Sequence, residues 1–68
     1  MKLVEVVNLA LKGDSDFIVC DQDTGEVIFD DTKSTTTEFS KFMSKNGGVQ
    51  VFSIEATTRH IIVIYVER

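Results

Sequence analysis

Leu3, Val6, Val7, Ala10 and Leu11 recur at steps of three and four, the spacing of one face of an α-helix. Lys2, Glu5, Asn8 and Lys12 fall off that stripe, and Gly13 follows it where a left-handed residue would close the helix. Val4, Val6 and Val7 oppose this reading, because a branched β-carbon restricts χ1 in a helix. The periodicity carries the helix against them. A second helix is announced by its start. Thr35 precedes Glu38 by three positions, a capping-box pattern with Thr35 as N-cap. Phe39, Phe42 and Met43 then follow at helical spacing, Lys41 and Lys45 sit toward the negative end of the helix dipole, and Asn46-Gly47-Gly48 ends it.

Between and after the helices the pattern is that of strands. Phe17 to Cys20 and Val27 to Phe29 are short apolar runs about Asp21-Gln22-Asp23-Thr24-Gly25-Glu26. Asp bonds nearby amides and Gly supplies positive φ, so this segment reads as a hairpin turn. Asp30 to Thr37 is polar and offers no core residue. Val49 to Ala56 reads as a strand whose apolar phase shifts between Val51 and Phe52, the mark of a bulge. Thr57-Thr58-Arg59 reads as a turn, and His60 to Glu67 as the strongest strand, with six apolar residues from Ile61 to Val66. The order α-β-β-α-β-β predicts an α+β fold, a four-stranded antiparallel sheet with both helices on one face.

That fold leaves apolar residues over. In the last strand Ile62, Ile64 and Val66 occupy one phase, and Ile61, Val63 and Tyr65 the other. In the first, Phe17 and Val19 alternate with Ile18 and Cys20. A one-sided antiparallel sheet should alternate apolar with polar. Burying an aliphatic side chain is worth about 1.5–3 kcal/mol, so three left in water would forgo much of a small fold's stability. Ile18, Ile61, Val63 and Tyr65 are therefore expected to form a self-association face, a two-fold homodimer being the commonest arrangement. A curled sheet, a loop or a terminal segment is the alternative cover.

Size strengthens the expectation. At 68 residues the chain makes one domain, whose core supplies roughly 3–5 kcal/mol, and such scaffolds usually carry a staple. Cys20 is the only cysteine, so no disulfide closes within the chain, and no zinc-type Cys/His cluster is present. A second subunit remains. There is no membrane-spanning apolar run, and the stretch after Lys2 is interrupted by Glu5 and Asn8, so it does not read as a signal peptide. A single cysteine suits a reducing cytoplasm.

Charge is uneven. Asp14, Asp16, Asp21, Asp23, Glu26, Asp30 and Asp31 fall within residues 13 to 32, which hold no Lys or Arg. The remainder from 33 onward carries Lys33, Lys41, Lys45, Arg59 and Arg68 against Glu38, Glu55 and Glu67. The seven acids form a candidate partner-binding lobe for a basic protein, although turn chemistry and solubility also favour Asp there. A net charge of −4 speaks against direct binding of nucleic acid.

Motifs for chemistry fail on inspection. Asp21-x-Asp23-x-Gly25 resembles a calcium loop, but position 5 is Gly25, position 6 Glu26 and position 12 Thr32, which breaks the ligand pattern. His60 and Cys20 are one of each, with nothing but their presence to suggest a catalytic pair, and Cys20 reads better as a small buried hydrophobe. Gly47-Gly48 follows a helix, the wrong end for a phosphate. Phe17, Phe29, Phe52 and Tyr65 lack the basic surround of a base-stacking platform. No catalytic residue, metal or cofactor is assigned, and an enzyme is not expected.

At Asp23-Thr24-Gly25-Glu26-Val27-Ile28, within a short helix–hairpin plan over residues 3 to 31, the chain resembles small accessory proteins of phages and integrative elements of Gram-positive bacteria. Some proteins of that kind inhibit host defence, as anti-CRISPR proteins do. The resemblance implies a setting in the bacterial cytoplasm and no particular residues. The expected function is a non-enzymatic protein-binding module, inhibiting a host defence protein or nuclease, with a structural subunit of an element-encoded assembly as the alternative.

Overall fold

A computed structural model describes residues 1–57 and 60–67. The turn expected at Thr58 and Arg59 lies outside the described residues. The chain runs α1 (Leu3–Lys12), β1 (Asp16–Asp21), β2 (Val27–Asp30), a short 3-10 turn (Asp31–Lys33), α2 (Thr36–Asn46), β3 (Gln50–Ala56) and β4 (Ile61–Glu67). The fold is α+β, with four strands in the order β2-β1-β4-β3. Among the described residues no helix is long and apolar enough to cross a membrane.

The sheet is mixed, which corrects the expected antiparallel one. β1 pairs with β2 and β3 with β4 antiparallel, but the central pair β1 and β4 is parallel. Parallel neighbours need a long crossover, and α2 with β3 supplies it. β4, with its six consecutive apolar residues, and β1 take the centre, and β2 and β3 take the edges. Parallel strands characteristically read as continuous apolar runs, so the pattern that looked like a surplus is partly the signature of this pairing.

Local chemistry sets each helix end. Thr35 Oγ1 accepts from the Glu38 amide at 3.2 Å, and the Glu38 carboxylate accepts from the Thr35 amide at 2.9 Å. That closed box holds the Glu38 carboxyl below its usual range. At α1 the N-cap is Lys2, which has no side-chain acceptor. The first amides are satisfied by chain from the other half: Leu3 donates to the Val49 carbonyl at 2.8 Å and Val4 to Gly47 at 3.0 Å. A Cβ at Gly47 would lie 2.8 Å from the Met43 carbonyl oxygen of the last turn of α2 and at ordinary contact distance, 3.6 Å, from Val4 Cβ of α1. The left-handed residue after α1 is Asp14 (φ 56), not Gly13 (φ −89). Ser15 donates to the Ala10 carbonyl and Asp14 to Leu11, a Schellman closure displaced one residue beyond the expected glycine. Asp tolerates the left-handed region better than most residues.

Both helices pack on one side of the sheet. Leu3, Val6 and Val7 of α1 share one buried cluster with Phe17, Val19, Phe29, Ile64 and Val66 of the strands. Phe39, Phe42 and Met43 of α2 pack against the same cluster without being fully buried. Phe29 stacks on Phe42 with centroids 4.5 Å apart, and Phe17 meets Phe39 edge-on at 6.0 Å. Leu11, expected on the buried stripe, is exposed. It lines a shallow cleft with Asp31, Ser34, Thr35, Thr36 and Phe39. The expected bulge is present, Phe52 having no register partner between Val51↔Val66 and Ser53↔Tyr65.

Candidate functional site

Register fixes which side chains share the face opposite the helices. Ile18 lies beside Val63, Cys20 beside Tyr65, and Asp16 beside Ile61. On the flanks Asp30 pairs with Ile18, Val27 with Cys20, Glu55 with Val63, and Ser53 with Tyr65. Alternate residues point to opposite faces, and Phe17, Val19, Ile64 and Val66 are committed to the helix side. The other face therefore carries two full rows across all four strands. One is Asp30, Ile18, Val63, Glu55. The next is Val27, Cys20, Tyr65 and the bulge pair Phe52-Ser53, since the two residues of a bulge oppose one partner.

The four residues expected to form an apolar face, Ile18, Ile61, Val63 and Tyr65, are thus brought together, each half-buried by its strand neighbours. Sequence reasoning missed the two most exposed members. Val27 is 54% exposed and Phe52 58%. Phe52 joins this face only through the bulge, and Val27 only through a second irregularity, the β1–β2 register shifting between Val19↔Phe29 and Cys20↔Val27. Cys20, between them, is buried, and burial pushes its thiol pKa up. That opposes the thiolate a nucleophile would need. Its ladder position is five residues from His60 along β4, roughly 16 Å, so the two are not a pair. The His60 backbone carbonyl accepts from the Asp16 amide at 2.6 Å, which ties the start of β4 to β1.

The acidic lobe divides. Asp21, Asp23 and Glu26 belong to the β1–β2 turn, where Asp21 Oδ1 accepts from the Asp23 and Thr24 amides and Gly25 takes φ 75. Asp14, Asp16, Asp30 and Asp31 lie at the opposite end of the hairpin, roughly 16 Å away along β1. Partial burial raises the Asp31 pKa, and the charges of Asp16 and Asp30 raise it further, so these three carboxyls are close neighbours. Asp30 also caps the 3-10 turn through the Thr32 amide at 3.0 Å.

Two of the lobe's acids, Asp16 and Asp30, belong to the open face by register, and two acids outside the lobe join them. Glu55 sits on β3 and Glu67 on β4, in the phase of Val63 and Tyr65. The charge of Glu55 raises the Tyr65 hydroxyl pKa. The result is an apolar centre with carboxylates around it. No Lys or Arg lies within the four strands among the described residues, but Lys2 bridges Gln50, the partner of Glu67, and so continues that row beyond the β3 edge. Lys12 belongs to α1, Lys33 to the 3-10 turn, and Lys41 and Lys45 to α2. No protein-family model, curated protein or solved structure matches this chain.

Proposed function

We propose that the protein is a non-enzymatic binding module that grips another macromolecule with the open face of its sheet. One observation carries the reading: Ile18, Val63 and Tyr65 lie contiguous with strongly exposed Val27 and Phe52 on a face that neither helix covers. Contiguous exposed apolar surface of this kind marks interaction sites more often than ordinary exterior. Inhibition of a host defence protein or nuclease is one use of such a grip. Selection of ligands from a displayed-peptide library, followed by amide shift mapping on the labelled protein, tests it. Ligands are expected to move Ile18, Val27, Phe52, Val63 and Tyr65. Ligands that move only α1 and α2, or a library that yields none, would remove the reading.

A further inference from the structure

We infer that the occupant of this face is a basic amphipathic helix of a partner protein, lying along the β1–β4 seam with Lys or Arg on both flanks. The inference rests on the open-face reading and adds the chemistry of the partner.

The argument is one of charge complementarity and width. The row Asp30, Ile18, Val63, Glu55 places two aliphatic side chains between two carboxylates. Three strand spacings separate the outer pair, about 14 Å at the backbone. A helix with its side chains is about 10–12 Å across. Its apolar stripe therefore fits over Ile18 and Val63 while its flanking cations meet Asp30 on one side and Glu55 on the other. The seam continues over Cys20 and Tyr65 and is bounded at its ends by Asp16 and Glu67. Strands of six and seven residues are about 20 Å long, which a helix of about 13 residues spans. The covered face of the same sheet already packs against helices in this way.

A second copy is the poorer occupant. A two-fold contact joins the same patch on both subunits, so the carboxylate rim of one would meet the carboxylate rim of the other. Like charges facing each other disfavour an interface strongly. The apolar residues on which a homodimer was expected thus sit inside a rim that argues for a partner of opposite charge.

The test uses the full chain and three synthetic peptides of equal length. One is helical, with a Leu/Ala stripe flanked by Lys. The second keeps the stripe and replaces Lys by Glu. The third scrambles the first, so its charge is kept and its stripe lost. The Lys peptide is expected to bind at Ile18, Val63 and Tyr65 by amide shifts, and to weaken with added salt. The other two should bind at least about tenfold more weakly. Asp30→Asn with Glu55→Gln and Glu67→Gln should lose about tenfold for the Lys peptide. The control Asp14→Asn with Asp23→Asn and Glu26→Gln removes the same charge away from the face and should lose no more than about threefold. Thermal melts check that both proteins fold. Asp16→Asn with Glu55→Gln and Glu67→Gln is the alternative set, leaving the Asp30 cap intact.

Equal losses in the two variants would overturn the inference, since long-range attraction alone would then explain binding. Equal binding of the Glu peptide at the face would overturn the basic partner and leave the open-face reading standing. A stable dimer by sedimentation, with the Ile18, Val63 and Tyr65 amide signals shifting with protein concentration, would overturn it in favour of a second copy. Failure of every peptide to perturb the face would overturn both readings.

Discussion

The two faces of one sheet differ in what buries them. On the helix side Phe17, Val19 and Ile64 are fully buried and Val66 nearly so. On the other side their strand neighbours Ile18, Val63 and Tyr65 are half-buried with no layer above them, and the edge residues Val27 and Phe52 are more than half exposed. Flanking strands alone hide much of a central side chain. An apolar residue in the open phase of a central strand is therefore weak testimony for an interface, and the same residue type at an edge is stronger. The case for a binding face rests accordingly on Val27, Phe52 and the carboxylates beside them.

The sharpest test of the contrast is a truncation on each face. Phe17→Ala is expected to destabilise by about 3–5 kcal/mol, which is the whole stability of a domain of this size, so a cooperative urea transition should vanish. Val63→Ala should lose about 1 kcal/mol or less and keep its transition. Similar losses at the two positions would mean that the open face is not open.

A smaller effect probes how tightly the helix layer is held. Gly47→Ala brings a Cβ to 2.8 Å from the Met43 carbonyl and should destabilise by about 1–3 kcal/mol. Its neighbour Gly48 has nothing within 4 Å of the added Cβ. Gly48→Ala should stabilise by about 0.4–1 kcal/mol, by restricting the unfolded chain. Opposite signs at adjacent residues, read by denaturant midpoints, would tie the Gly47 effect to packing. Thr35→Ala removes the cap of α2 and should lower stability by about 1 kcal/mol.

The least effect falls beside the rim of the open face. The Asp31 pKa is raised in the folded state by partial burial and by Asp16 and Asp30. A raised folded pKa means that the protonated carboxyl favours folding below the unfolded value near 3.8, and that this contribution is lost as pH rises through the folded value. Asp31→Asn should therefore stabilise slightly at neutral pH, by no more than about 0.5 kcal/mol after solvent screening. The difference should disappear below pH 3.8 in melts across pH. Destabilisation at neutral pH would show that the acids at this end are held in place by something other than mutual repulsion.

Much of the architecture was legible because its signals are local. The Thr35–Glu38 box, the Asp21–Gly25 turn and the phase shift at Phe52 each involve residues within a few positions of one another. Strand direction was not legible, because the partner of β1 lies about forty-five positions away, Asp16 beside Ile61. The clue that existed, continuous apolar runs in both strands, was read as surplus surface instead of parallel pairing. The candidate site was half legible. Ile18, Ile61, Val63 and Tyr65 could be picked out by phase along single strands. The rim could not, because Asp30 and Glu55 bracket Ile18 and Val63 only once three strand pairings are in place. The acidic segment spans a whole hairpin, so its turn acids Asp21, Asp23 and Glu26 lie a strand length from Asp14, Asp16, Asp30 and Asp31, which pairing gathers at the open end.

The parallel seam also has a kinetic meaning. The first hairpin and its helix are complete well before β4 is synthesised, yet Phe17 and Val19 have no neighbour on one flank until Ile62 and Ile64 arrive. Closing so long a loop before its contacts repay the entropy slows folding. Until then that flank of β1 is unpaired. A chain shortened by β4 would lose the centre of its sheet, leaving two unjoined halves and a sticky intermediate.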